Sequence, residues 1–467
     1  MMAAMRRLAL VAAAALLAFP LPADAQEKQP QPALPAPPTV DDPMLAPVPR
    51  AATEVANWEE ALKYVRARST DLHIALEDVT RAEAQQRVAL AGTLPSLNGQ
   101  ATFTHNLITN QTSQVAGLNG LQPVFRTVET PFPNYLTGSL VAVQPVLALR
   151  AWNAIGTARV AKDVAKLSVD DAKRVIALNV ANAIVGVVTA ERVAELNRVG
   201  LRNALQRLDL TTRKTALGGG TGLDVVRARQ DVEVARAQLV TGDESLRQAR
   251  EALGLALGVP NAIGVPPSVD ISGLEQATRT ACRPAGSVEE RPDVAALRTR
   301  VEQTHRLVND VKYQFAPTVN LQSTLGSTTI DTGAAPNTTW NVQAVLSVPF
   351  WEGGARYGNL RDAQAQERQA EERLEAQKRK ASIEVEQARR GVTVAEQSAK
   401  VAAAARDLSA ETDRLTRISY AEGRGTSLEL ITAAQALREA EIQLALREFD
   451  VVKARVLAVL ALASCPW

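Results

Sequence analysis

His73, His105 and His305 are the only histidines of the 467-residue chain, and they are scattered along it. There is no H-E-x-x-H, no nucleophile elbow and no phosphate loop, because the glycine run 218–222 lacks the lysine and the preceding strand such a loop needs. No catalytic, cofactor or metal site is therefore expected. Chemistry concentrates instead in two turns, Leu217-Gly218-Gly219-Gly220-Thr221-Gly222-Leu223-Asp224 and Tyr420-Ala421-Glu422-Gly423-Arg424-Gly425-Thr426-Ser427-Leu428-Glu429. At an offset of 205, Gly220-Thr221 superposes on Gly425-Thr426, Leu223 on Leu428 and Asp224 on Glu429. Glycine at a helix end accepts a left-handed backbone, and Thr or Ser caps the helix that follows. An acid in the first turn favours the helix N-terminus. Two helical hairpins thus explain the glycines, the threonines and part of the acids, but not Tyr420.

The elements that must place these turns are long. Residues 151–217 and 355–420 are free of proline, and each run corresponds to about 100 Å of helix. In the second, Ala388, Val392, Ala395, Ala399 and Ala402 recur at alternating four and three; Leu178, Ala181, Val185 and Val188 do so in the first. Small alanines at such a seam let helices approach closely. Return helices are expected over 224–257 and 428–462. Shorter outbound helices, 58–91 and 294–312, would stack end to end with them. Between the repeats, 258–290 holds Pro260, Pro266, Pro267 and Pro284 and reads as a non-helical equatorial belt.

Ahead of each long helix the period changes. Trp340, Val342, Ala344, Leu346 and Val348 lie two apart, as on a strand with one apolar face, and the helical pattern begins after Gly353-Gly354. The same junction occurs earlier, with Pro145 answering Pro349 at an offset of 204. Pro95 and Pro317, at the strand entries, are offset by 222, so the first hairpin's connection is longer by 18 residues. The chain is read as a duplication: a first repeat over 51–257 with hairpin 95–149, and a second over 291–462 with hairpin 317–350. Residues 463–467 form a C-terminal tail.

These hairpins do not read as water-soluble. Their only formal charges are Arg126 and Glu129 in the first and Asp331 in the second, against 22% charged residues overall. Phe350, Trp351 and Tyr357, with Trp152 in the other copy, gather at one end, as a girdle at a membrane interface would. A soluble sandwich core is the alternative, but it would need two apolar-faced sheets, and only four strands are expected. Four strands cannot close a barrel, and a membrane tolerates no open strand edge, so other copies of the chain must complete it.

Residues 1–25 have the marks of a secretory signal peptide: Arg6 and Arg7, an apolar run, then Ala23-Asp24-Ala25. The Pro-rich stretch 26–50 is read as a mobile N-terminal tail. With 52 Lys and Arg against 50 Asp and Glu the chain is nearly neutral, and nothing suggests a nucleic-acid partner. Cys282 and Cys465 are the only cysteines. In an oxidising compartment, with the belt and the end of the last helix at one height, a disulfide and two free thiols are the alternatives.

Taken together, the Arg291-Pro292-Asp293 helix start, the Pro95 and Pro317 strand entries, the Pro349-Phe350-x-x-Gly353-Gly354 exit, and Tyr420-x-x-Gly423 with Glu429 resemble the TolC-like outer membrane efflux protein family. The resemblance spans nearly all of the mature sequence. It implies a mixed α/β membrane protein: a homotrimer whose 12-stranded outer-membrane β-barrel is continued by a long periplasmic α-helical barrel. Its expected partners are a periplasmic adaptor (membrane fusion) protein, an inner-membrane transporter and outer-membrane lipid. It also implies adaptor docking at the tip turns (Gly218, Gly220, Thr221, Gly423, Gly425, Thr426) and a periplasmic gate at Asp224, Tyr420, Arg424 and Glu429, with Tyr420 bonded to Asp224. The family's second acid ring falls on Thr432, and its gating arginine on Gly425, one place from Arg424. A periplasmic coiled-coil adaptor or envelope tether without a channel is the competing reading. It would share the heptads but carry a lipoyl-like all-β module and no membrane strands.

Overall fold

The computed structural model describes residues 39–105, 107, 110–119, 122–130, 134–267, 272–330 and 336–467. The leader, residues 26–38 of the tail and Asp331 lie outside the described residues. The first repeat runs through β1 (Thr53–Glu54), α1 (Trp58–Arg68), α2 (Thr70–Ala91), β2 (Ser96–Thr104), β3 (Asn110–Asn119), β4 (Gln122–Thr130) and β5 (Tyr135–Leu147) to α3 (Leu149–Ala216) and α4 (Gly222–Ala256). The belt holds β6 (Ile263–Gly264), α5 (Ser272–Ala281) and β7 (Arg283–Pro284). The second repeat follows as α6 (Pro292–Lys312), β8 (Thr318–Thr328), β9 (Thr338–Ser347), α7 (Ala355–Ala421) and α8 (Ser427–Leu460), closed by β10 (Ala463–Ser464).

Strands β2, β5, β8 and β9 form one antiparallel sheet in that order. Its register decides which side faces what, because directly paired residues share a face. Gly99 pairs with Leu140, Leu140 with Leu325 and Leu325 with Trp340; on the same face Phe103 opposes Leu136, and Val319 opposes Leu346. That face is apolar and exposed, with Trp340 at 76% and Val342 at 60%. The opposite face carries Gln100 across from Ser139, and Gln322 across from Gln343. A sheet in water would turn the first face inward, whereas this one turns it out.

The longer first connection is itself structured. β3 and β4 pair as a separate two-stranded antiparallel ribbon, so the insertion extends the first hairpin without entering the four-stranded sheet.

Three expectations need correction. The outbound helix 58–91 is broken at Ser69, whose extended backbone (φ −66°, ψ 114°) ends α1 and whose Oγ accepts from the Leu72 N–H to start α2. The belt turn at Gly258 presses on the break: with φ +74° it has no strain-free substitute, and a Cβ there would lie 2.3 Å from the Arg68 carbonyl oxygen. The belt is not wholly non-helical. Residues 272–281 form α5 because Leu274, Thr278 and Cys282, spaced by four, give it a buried face, and its prolines flank that segment rather than interrupt it. Nor is all of the tail mobile. Met44 and Leu45 pack on the α3–α4 cluster of Leu201, Val232 and Leu239, Asp42 pairs with Arg236 at 2.7 Å, and the Pro49 carbonyl accepts from Arg250. Pro-rich composition hid two apolar side chains able to anchor it.

The main core lies at belt level. Trp58, Leu62 and Val65 of α1 meet Val180, Ile184 and Val185 of α3, Leu253 and Leu257 at the end of α4, Ile263 of the belt, and Val456 and Leu460 of α8. Truncating one such leucine to alanine typically costs about 2–5 kcal/mol. α3 contains a stretch long and apolar enough to cross a membrane by length and composition alone; its apolar residues between 176 and 187 are spent on this core. Cys282 and Cys465 are bonded here (S–S 2.02 Å), fastening the end of α5 beside the β7–β10 pair.

Candidate functional site: the paired helical tip

The turn after α3 and the turn after α7 share their closing bonds at the 205-residue offset, and the second adds one from Gly425 N–H to the Ser419 carbonyl (3.0 Å). Gly219 N–H donates to the Lys214 carbonyl (3.0 Å) as Arg424 N–H does to Ser419 (2.9 Å), and Gly218 and Gly423 both sit at φ +80°. This is the six-to-one closure of a Schellman motif, in which the left-handed glycine lets the chain reverse. Each return helix then opens with a capping box. Thr221 Oγ1 accepts from Asp224 N–H while Asp224 Oδ2 accepts from Thr221 N–H (2.9 Å), and Thr426 with Glu429 repeats the arrangement (2.8 Å). The matched acids are thus first of all helix-starting residues.

Two contacts cross from one turn to the other, and neither is repeated. Lys214 Nζ donates to the Tyr420 carbonyl oxygen (3.2 Å) and lies 3.9 Å from the centre of the Tyr420 ring, a cation–π contact that buries the tyrosine to 6% exposure. Ser427 Oγ donates to Asp224 Oδ1. The Ser427 hydroxyl, and after it the Thr221 backbone N–H, hold the Asp224 carboxyl below the usual carboxylate range by stabilising its charged form.

Among the described residues of the single chain, no Tyr420–Asp224 bond joins the two turns; other contacts do. Both Asp224 oxygens are occupied by Thr221 and Ser427, and the tyrosine is held through its ring and carbonyl. Arg424 is exposed and turns back to Glu422 rather than across the tip. Gly425 cannot carry a longer side chain freely, since a Cβ there would lie 3.1 Å from the Tyr420 backbone nitrogen. Lys214 and Ser427 were missed because they align with Ser419 and Gly222, where the repeats differ; a search for such mismatches within matched turns would have found both. Above the tip, Asp231 bonds Arg207 (2.5 Å) and accepts from Gln435 of α8 (2.9 Å), adding a third tie between the hairpins.

The chain thus joins long paired helices with reversing turns to a sheet whose apolar face is turned outward. The outer membrane efflux protein model matches residues 61–259 and 286–462, and the chain belongs to that family. The chain is 24% identical to the alkaline protease secretion protein AprF of Pseudomonas aeruginosa, over 82% of this chain and 81% of that one. It is 23% identical to the outer membrane protein OprJ of the same organism, over 83% and 81%. Among solved structures it superposes on the CmeC outer membrane channel of Campylobacter jejuni with a TM-score of 0.70, at 16% identity and covering 93% and 94% of the two chains. Its place is the outer membrane.

Proposed function

We propose that three copies assemble into a 12-stranded barrel continued by a periplasmic helical tunnel, and that this duct is the exit of a tripartite efflux pump or type I secretion system, closed at its tip. The observation that carries it is the four-stranded sheet, apolar and exposed on one face and polar on the other, with β2 and β9 as its outer strands. A bilayer admits such a sheet only when closed, with lipid on the apolar side and water on the polar side.

The helices carry matching support. On α7, Val394, Val401, Leu408 and Leu415 are exposed at seven-residue spacing, and the first two line an open groove of about 600 Å³ beside Arg447. On α4, Val226 and Val240 are exposed as well. Apolar heptads left in water are seams awaiting a partner helix. The tip turns, with Gly218, Gly220, Thr221, Gly423, Gly425 and Thr426, are the surface offered to a periplasmic adaptor carrying an inner-membrane transporter. Asp224, Tyr420, Arg424 and Glu429 belong to the gate region. AprF is named for protease secretion, and a secreted polypeptide is one cargo class such a duct serves.

Fractionation tests the reading. Heat-modifiable, detergent-dependent trimers in the outer-membrane fraction are expected, with channel activity in planar bilayers; a soluble periplasmic monomer would overturn it.

A further inference from the structure

We infer that a groove along α6, between α3 and α7, binds amphipathic organic anions, and that these are a cargo class of the duct; the cargo role rests on the channel reading above. Two cavities make the groove, one of about 760 Å³ and one of about 470 Å³. They share Ser168, Ala296 and Leu297, so they run into each other along the helix. Their size is that of sites for small organic molecules.

Charge is unevenly spread along this groove. In the cavity nearer the belt every carboxylate is already matched: Asp171 pairs with Arg174 (2.7 Å), and Asp293 and Glu384 both pair with Arg291 (2.7 and 2.6 Å). The cavity nearer the sheet is lined by no carboxylate and by two arginines, Arg300 of α6 and Arg373 of α7. Among the described residues neither makes an ion pair, and Arg300 donates to the neutral Gln303 amide oxygen (2.8 Å). The groove therefore has one positive end. Its wall is otherwise apolar: Leu297 stands with Val164 and Ala370 in one cavity and with Val175 and Leu178 in the other, and Val175 is left 40% exposed.

Two guanidiniums unmatched by acid, beside an apolar wall, are recognition chemistry for a carboxylate, sulfonate or phosphate carried on an apolar body. A small inorganic anion would leave the wall in water, and a cation would be repelled by Arg300 and Arg373. The groove also opens away from the belt. At the joint of α6 and α8, β10 touches α3, and Val288 of the belt packs on Val385 and Ala388 of α7. No residue lining the groove comes from α5, β7 or β10. In a closed ring of helices the belts of three copies fit only on the outside, so the opposite side faces the bore. Cargo passing there meets one such groove per copy.

The full-length protein in lipid nanodiscs tests this by titration with anilinonaphthalene sulfonate, whose fluorescence rises in an apolar site, after subtraction of empty nanodiscs. Phenylnaphthylamine, the same ring system without the sulfonate, is the comparison. Saturable binding of the sulfonate is expected, about tenfold tighter than that of the amine, and Arg300→Gln with Arg373→Gln should remove that preference. Both arginines are exposed, so the glutamines leave the core untouched. Arg300→Lys with Arg373→Lys keeps the charge and should keep most of the preference, while Arg298→Gln, outside the groove and paired with Glu289, should change nothing. No saturable sulfonate binding to intact trimers, or a preference that survives both glutamines, overturns the site. In planar bilayers the sulfonate added on the barrel side should reduce single-channel current in the wild type and not in the glutamine variant; binding with an unchanged current overturns the cargo role. Saturable binding that the glutamines remove, in a protein that forms no trimers, keeps the groove and removes the duct instead.

Discussion

The two repeats share a backbone and differ in what holds it. Their tip turns share closing hydrogen bonds, left-handed glycines and capping boxes, yet the second repeat is enclosed by the Cys282–Cys465 bond, across 183 residues, while the first is held by the strap of Asp42, Met44 and Leu45 on α3–α4. Duplication preserved what backbone reversal requires and released the side chains between turns to specialise. Matched positions report the fold, and mismatched ones report the junctions.

The largest expected effect tests that contrast directly. Cys282→Ser with Cys465→Ser opens the loop around the second repeat and is expected to destabilise it by up to about 5 kcal/mol in the chain-entropy view. Thermal unfolding of the purified protein, with and without reductant, should show the wild type falling to the variant's level on reduction. An unchanged midpoint would mean that the belt core alone holds both repeats equally.

Next come the two faces of β9. Val342→Arg or Leu346→Arg, on the exposed apolar face, should impair membrane assembly, each by about 2–4 kcal/mol near the bilayer midplane, while Gln343→Arg on the polar face should assemble normally. Heat-modifiable oligomer yield is the readout, and equal yields from all three variants would remove the assignment of faces.

Gly218→Ala and Gly423→Ala sharpen the turn comparison. Both residues sit at φ +80° with open space around a Cβ, so the cost is conformational and about 1–2 kcal/mol at either turn. Differing losses in chemical denaturation would show that the turns are not equivalent in energy as they are in geometry.

The smallest effect concerns pH. Asp224 has its carboxyl held below its ordinary value of 3.8, so its bonds stabilise the tip above that pH and are lost as pH falls through the lower folded value. Tip conductance should therefore be flat from neutral pH to about pH 4 and rise only below it, as expected for a depressed carboxylate. Ser427→Ala should move that rise upward toward 3.8; a rise at pH 6 would assign it to another group.

Much of this was legible in sequence because it rests on period and punctuation. The change of spacing from two to three and four at Gly353-Gly354, and the prolines at 95 and 317, placed the hairpins and long helices within a few residues. The break at Ser69 was not legible, since it needs no proline or glycine, only a capping serine pressed by a belt turn distant in sequence. α5 was masked by the prolines that bound it, and the docked strap by the composition around Met44. At the tip, residue type pointed to Tyr420 and Asp224, but their partners depend on Lys214 and Ser427, which only the packing of one hairpin on the other brings near.

In the function proposed above, the paired tip closes a duct through the outer membrane. Single-channel conductance in planar lipid bilayers tests it most directly, comparing wild type with Lys214→Ala combined with Asp224→Ala. A small conductance is expected for the wild-type trimer and a several-fold larger one for the double variant, whose two turns are no longer tied. Identical conductances from equally intact trimers would contradict it.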